Sequence, residues 1–323
     1  MRILITGGSG FVAPHLIEYI QSLNQKHKIS IIVRQRGDNS QLDRLTYLDQ
    51  IKVYKGDLLN YATVYRVLNE VQPEVIFHLA AQSFVQYSFE DPVGSVLNNM
   101  QAQMNLLEVV REQKINPVIH IAGSSEEYGK VKNVPIKETD PLRPLSPYGV
   151  SKVIQEMMAC QYYESYGMKN VVTRAFNHEG PGRGKQFFLS DMCYQVARIE
   201  AGWQPPTIEV GDLTSTRDIT HVKDMVRAYW LAVEKCDYGE PYNISSDFEI
   251  RMRSLLEMVL ERTKIKVKII KQENRLRPSD VTQLLGDSTK FRNKTGWKPD
   301  HTLVEIVGDT LTYWRGRLQH ART

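Results

Sequence analysis

Short β-rich apolar runs alternate with longer helix-compatible stretches through the first half of this chain, and that alternation most narrows what it can fold into. The runs are RILITG at 2–7, ISIIVR at 29–34, IKVYKGD at 51–57, VIFHLAA at 75–81 and PVIHIAGS at 117–124. NVVTRAFN at 170–177 extends the series. Strands separated by helices need crossover connections, so the expected architecture is α/β, a doubly wound parallel sheet with helices on both faces. Beyond about residue 178 the rhythm loosens into Gly- and Pro-rich connections (GPGRGK, GWQPPT), shorter strands (TIEVGD, PYNIS, KVKII) and helices near 224–235, 251–262 and 302–319. The chain is therefore divided into a nucleotide-binding domain, 1–177, and a smaller α/β substrate lobe, 178–323, interleaved with the end of the sheet.

Composition excludes several classes. With 323 residues and 41% hydrophobic content the chain can bury a sizeable core. No apolar run reaches the roughly 18 residues of a membrane span, and the N-terminus enters a strand without a signal-peptide layout, so a soluble cytoplasmic protein is expected. Cys160, Cys193 and Cys236 lack metal-binding or paired spacing and are read as reduced thiols, with no metal site. The net charge of +4 is scattered and suits a phosphate-bearing small ligand rather than nucleic acid. KIKVKIIK at 264–271 alternates Lys with Ile and Val, the pattern of an edge strand with its lysines in water.

GGSGFVA follows the first strand and opens a helix-like stretch, with Gly7, Gly10 and Ala13 spaced as in a Rossmann-type dinucleotide turn. Its backbone, through Phe11 and Val12, would meet a pyrophosphate at the helix N-terminus, and Pro14 suits the first turn. The second strand ends in Arg34, followed by Arg36, where an NAD enzyme usually carries an acid. A guanidinium there suits a 2′-phosphate and points to NADP.

Tyr148 and Lys152 in SPYGVSK are four apart at the start of a helical segment and so share a face, where an ammonium can lower the phenol's pKa. Ser124 lies 24 positions upstream of Tyr148, in SSEEYG. If the fifth strand stays extended through this segment, Ser124 and Glu126 share one face and Glu127 lies opposite, as a solvated loop acid. A carboxylate beside a hydride site is what an enzyme needs to remove a proton from the carbon next to a new ketone.

Together with Asn99 in NNMQAQMNLLE, these motifs resemble the extended short-chain dehydrogenase/reductase superfamily along almost the whole chain. AAQSFVQYSFEDP, ESYGM, FNHEGPGRG, TRDITHVKD and LRPSDVTQLLGD narrow the resemblance to the GDP-mannose 4,6-dehydratases and their siblings, the GDP-4-keto-6-deoxymannose reductases. The resemblance implies catalytic roles for Ser124, Glu126, Tyr148 and Lys152, with Ser124 standing where the dehydratases usually have threonine. It implies cofactor contacts at Asp57, Leu58, Leu79, Ala80, Ala81 and Asn99. It further implies substrate contacts at Ser83, Asn177, Arg183, Arg217, Arg277 and Asp280, the arginines clamping a diphosphate and Asp280 meeting the ribose of GDP.

The opening SGFVAPH departs from the RGQDG-type loop that helps dehydratases form tetramers. SSEEYG and PYNIS lean toward the reductase, AAQSFV and the RG of GPGRG toward the dehydratase. The expected activity is conversion of GDP-mannose to GDP-4-keto-6-deoxymannose with NADP as cofactor, in a homodimer or homotetramer. The alternatives are the 4-keto reductase and a non-catalytic NADP-sensing protein.

Overall fold

The computed structural model describes residues 1–23, 26–34, 50–275 and 281–320. Seven strands form one parallel sheet: β1 (Arg2–Thr6), β2 (Lys28–Val33), β3 (Lys52–Lys55), β4 (Val75–His78), β5 (Val118–Ser124), β6 (Lys169–Ala175) and, after three strands outside it, β10 (Pro241–Ile244). Their order is β10-β6-β5-β4-β1-β2-β3. The chain works outward from β1 in both directions, so the order reverses between β1 and β4, and a crevice opens there beyond the strands' C-terminal ends.

Helices cover both faces. One layer holds α1 (Val12–Ser22) and α7 (Val222–Lys235), which pack against each other. The opposite layer holds α2 (Tyr61–Val71), the short α3 (Val85–Glu90), α4 (Pro92–Glu112) and α5 (Pro147–Tyr166). Each layer has its own apolar core: Ile3, Ile5, Leu16 and Trp230 on the α1 side, Leu4, Ile76, Leu106 and Ile119 on the other. Adjacent residues of a central strand thus point into different cores, as the strand's alternation requires. Strand β10 and helix α7 come from beyond residue 177, so the second half of the chain returns to complete the sheet and one of its layers.

The remaining elements lie about a third core at Leu189, Val196, Leu255 and Leu311 and a small fourth one in which Leu284 meets Tyr128, Ile136 and Phe176. They include β7 (Asn177–Glu179), α6 (Phe188–Glu200), β8 (Thr207–Val210), β9 (Thr216–His221), β11 (Glu249–Arg251), α8 (Met252–Leu260), β12 (Lys268–Lys271), β13 (Gln283–Leu284) and α10 (Leu303–His320). The helix α9 (Thr289–Thr295) lies against β10. Of the expected basic strand at 264–271, only 268–271 is extended, paired in parallel with β8. The cysteines are free thiols, Cys193 and Cys236 buried and Cys160 half-buried. No helix among the described residues is long and apolar enough to cross a membrane.

Candidate active site

The crevice is a cavity of about 370 Å³ lined by both halves of the chain. A volume of this size is typical of a small-molecule site. Its floor is the turn between β1 and α1. Gly7 has φ +70°, and a Cβ there would lie 2.9 Å from Ala80 Cα, so a side chain would collide with the strand-end backbone of the next unit. Gly10 N–H donates to Gly7 O at 2.9 Å, which closes the turn. Among the described residues no side chain caps the start of α1, so its first N–H groups remain available at the cavity, with Phe11 and Val12 on its wall. At the end of β2, Arg34 is exposed on the cavity rim and donates from Nη2 to Asn98 Oδ1 at 2.8 Å. Asp57, Leu58, Leu79, Ala80, Ala81 and Ser83 complete this side.

Asn99 does not reach the cavity. It is fully buried, accepts from Gln82 N–H at 2.7 Å and donates to Gln82 O at 3.0 Å and Ser151 Oγ at 2.9 Å. Its amide pins the loop after β4, and the neighbouring Asn98 is the one on the wall.

At the other end Ser124, Glu126, Tyr148 and Lys152 line the same cavity. Ser146 caps α5 by accepting from Gly149 N–H at 3.0 Å, and the first turn then carries Tyr148 inward, with Lys152 one turn on. Lys152 Nζ donates to Ala122 O at 2.8 Å, on β5. The expected lowering of the phenol's pKa is not what the protein shows. Burial raises Tyr148 well above an ordinary phenol, a hydrogen bond with Ser124 works the other way, and Glu126 and Glu127 add to the rise. Burial also brings Lys152 down to about 8, opposed by Glu127. Desolvation dominates both groups because each is almost wholly enclosed.

Glu126 reaches the cavity for a different reason than strand parity. The strand ends at Ser124, and 125–127 form a 3₁₀ turn. Ser124 caps that turn: its Oγ accepts from Glu126 N–H at 3.2 Å, while Glu127 Oε1 accepts from Ser124 N–H at 2.6 Å. Glu127 is therefore a fully buried acid, not a solvated one. The turn sends it under the sheet and leaves Glu126 at the cavity.

From β7 onward the chain contributes Asn177, Arg183 and Arg217. Arg183 lies between two aromatic rings, its guanidinium carbon 5.0 Å from the centre of Phe11 and 3.5 Å from that of Phe187. Arg217 is anchored by Nη1, which donates to Thr216 O and Val281 O at 2.8 and 2.7 Å. Arg36, Arg277 and Asp280 lie outside the described residues. The sequence reading missed Phe187, His178 and Tyr229, all on the cavity wall. His178 follows Asn177 in the same FNHEGPGRG motif, whereas Phe187 carried no sequence signal.

A family model described as GDP-mannose 4,6 dehydratase matches residues 4–310. The chain is 29% identical over 320 residues to GDP-6-deoxy-D-mannose reductase from Pseudomonas aeruginosa, covering 98% of each. It is 32% identical over 338 residues to GDP-mannose 4,6 dehydratase from Homo sapiens, covering 95% of this chain and 90% of that protein. The structure of RMD from Pseudomonas aeruginosa complexed with NADPH superposes with a TM-score of 0.85 at 27% identity, over 98% of this chain and 100% of that one. A cavity joining a glycine turn to a Ser, Glu, Tyr and Lys cluster, matched over nearly its full length in this way, places the chain in the GDP-mannose 4,6-dehydratase family.

Proposed function

We propose that the protein is an NADP-dependent GDP-mannose 4,6-dehydratase, carried chiefly by one observation: Glu126 shares a single cavity with Ser124, Tyr148 and Lys152. The residues present fit the cofactor. The Gly7 turn is a cradle that a Cβ would fill, the uncapped start of α1 suits a pyrophosphate, and Arg34 stands where a 2′-phosphate would lie. When bound, NADP takes hydride from the sugar and returns it.

The chain's own residues handle the protons. Tyr148 takes the proton of the C4 hydroxyl as the phenolate, a form that burial disfavours and that the Ser124 hydrogen bond and the nearby Lys152 ammonium help to restore, and Ser124 holds the same oxygen. Lys152, fixed on Ala122 O, supplies positive charge beside the phenol ring, its Nζ 5.8 Å from the ring centre. Once C4 is a ketone, C5 is acidic. Glu126 removes the C5 proton and delivers it to the departing C6 hydroxyl, so that water leaves; with hydride back at C6, C5 regains a proton, the equivalent of the one Tyr148 took from the C4 hydroxyl. Arg183 and Arg217 face the diphosphate, and Asn177 and Ser83 the sugar.

The 4-keto reductase is the second reading, favoured by the match to the Pseudomonas reductase over 98% of both chains. Incubating purified protein with GDP-mannose and no added cofactor separates the two. A product lighter by one water supports the dehydratase. No product, together with NADPH oxidation when GDP-4-keto-6-deoxymannose is supplied, establishes the reductase.

A homodimer or homotetramer in the cytoplasm belongs to the same proposal. Val93, Leu97 and Met104 on α4 and Val150 and Met157 on α5 are exposed along two helices packed side by side. A two-fold axis would set this apolar stripe against its own copy. Leu97→Glu should then yield monomers by light scattering, and an unchanged oligomer would place the interface elsewhere.

A further inference from the structure

Behind the catalytic cluster lies a buried group of charges that the reaction as described does not use. Glu127 and Glu156 are 0% and 2% exposed, and Arg174 and Lys152 are 4% exposed each. Arg174 is committed to Glu156: its Nε donates to Glu156 Oε2 at 2.8 Å and its Nη2 pairs with Oε1. It stands 3.9 Å from Glu127 Oε2, too far for a hydrogen bond. Among the described residues Glu127 Oε2 meets no N–H donor, and the side chain that Glu127 hydrogen-bonds is the Glu156 carboxyl, a contact that requires a proton on one of the two acids. A buried carboxylate oxygen without a donor is costly, so the arrangement calls for a proton or for another cation.

Two links tie this acid to the reacting groups. The first runs through the backbone, because Glu127 Oε1 receives Ser124 N–H at 2.6 Å and so fixes the residue whose hydroxyl meets Tyr148. Gly123 makes this contact possible: a Cβ there would fall 2.8 Å from Glu127 Oε1. The second is electrostatic. Lys152 Nζ donates to Ala122 O at 2.8 Å and Glu127 Oε1 accepts from Ser124 N–H at 2.6 Å, so the two groups meet β5 two residues apart; with Arg174 committed to Glu156, Lys152 is the cation among the described residues placed to balance Glu127.

We infer that Glu127 is a positioning residue for the reaction, holding Ser124 through its backbone N–H and, once its own proton has left, the positive charge of Lys152. The groups facing Glu127 are Lys152, Glu156 and Tyr148 from α5, Arg174 from β6, and Glu126 and Tyr128 from its own turn. His78 and His120, which face Lys152, are buried and pushed down to about 3, so they stay neutral through the working range. Burial and the neighbouring Glu156 hold Glu127 well above an ordinary carboxyl. It therefore keeps its proton late in a rising pH titration. When the proton leaves, the new negative charge lies beside Lys152 and opposes loss of the lysine proton. The two groups act as a matched pair that preserves one ammonium near the phenol.

The inference rests on Ser124, Tyr148 and Lys152 being the catalytic set, in either reaction direction, and one readout of its test needs no turnover. Glu127→Gln keeps an oxygen that accepts from Ser124 N–H but cannot carry charge. Its alkaline limb of kcat/KM should move to lower pH by about one unit, as loss of one close opposite charge predicts. Glu127→Asp should leave the limb in place and lower kcat, because charge is retained while the shorter side chain releases Ser124. The second readout is NMR of the cofactor-loaded protein with 13Cε-labelled lysine, the Lys152 signal assigned by its loss in Lys152→Arg. The parent signal should titrate in two steps and that of Glu127→Gln in one, at lower pH. A parent signal that titrates once, at the pH of an ordinary lysine, overturns the inference even if Glu127→Gln does not fold. A Glu127→Gln enzyme slower at every pH with an unmoved alkaline limb overturns it too. Absence of dehydration with a two-step lysine titration would instead count against the proposed activity alone.

Discussion

Replacing Arg34 with Asp should reverse the cofactor preference, and its size can be worked from the position of the side chain. Arg34 is exposed at the end of β2, with one N–H engaged by Asn98 Oδ1 at 2.8 Å. A charge-assisted hydrogen bond contributes about 1.5–3 kcal/mol, and water access puts this contact at the lower end. The introduced carboxylate would also repel the 2′-phosphate, by about 1 kcal/mol at a 4 Å separation in water. Together these amount to about 2.5 kcal/mol, or roughly 70-fold in NADP affinity. NAD has no phosphate to lose, and its ribose hydroxyls can donate to the new carboxylate, so NAD affinity should hold or rise. The assay is a fluorescence titration of both cofactors into stripped parent and variant protein. Because the contact faces water, the NADP loss should shrink as salt is raised. An unchanged ratio of NADP to NAD affinity, or an equal loss of both, would show that the 2′-phosphate is read elsewhere.

Glu126→Gln should lower dehydration by roughly 10²–10⁴-fold while NADPH binding stays at the parent value, since the change is isosteric and removes only the base; a parent-like rate in a product assay would eliminate Glu126 from that role. Tyr148→Phe should stop hydride transfer in either direction, checked by following the nicotinamide absorbance with GDP-mannose and with the 4-keto sugar, and activity in either would contradict the assignment. Glu179 is buried, its Oε2 has no donor among the described residues, and burial raises its carboxyl to about 7 from 4.5. Its contribution to stability is therefore fully present below pH 4.5 and lost as pH rises through 7, a change of about 3 kcal/mol. Denaturant midpoints at pH 5 and 8 should accordingly lie closer together in Glu179→Gln than in the parent, and an equal gap would show that Glu179 does not titrate in that window.

The sheet was legible because its cues are local. Apolar runs of strand length, a glycine turn after the first of them and helical spacing between mark six successive strands of a parallel sheet, up to β6, with little help from tertiary contacts. The assignment of β10 beside β6 was less so, since PYNIS reads only as a short strand and its neighbour is set by the packing of α7 and α9. The cofactor contact expected at Asn99 came from the family resemblance alone, and the cavity wall carries Asn98 instead. Which of two adjacent amides turns inward depends on the helix phase of α4, and the phase is fixed by tertiary packing.

SSEEYG shows most clearly where sequence reasoning went astray and what would have corrected it. Parity along a strand assigned Glu126 to the site and Glu127 to water, and only the first assignment agrees with the structure. Yet Ser124 followed three residues later by Glu127 is itself the signature of a capped turn, in which the serine accepts from the turn's backbone and the acid reaches back to the serine's own N–H. Period two applies only while the strand continues. A capping pair at its end announces that it does not. A second cue lay 47 residues further on, in NVVTRAFN. An arginine in the middle of a strand buried on both faces needs a buried acid, and Arg174 has two within reach, Glu156 in contact and Glu127 close by. Had the capped turn and the strand arginine been read together, the acid turned away from the cavity would have been placed under the sheet. The same two cues then explain where the two acids of SSEEYG lie: Glu126 lines the cavity, and Glu127 is buried behind it, accepting from the backbone N–H of Ser124.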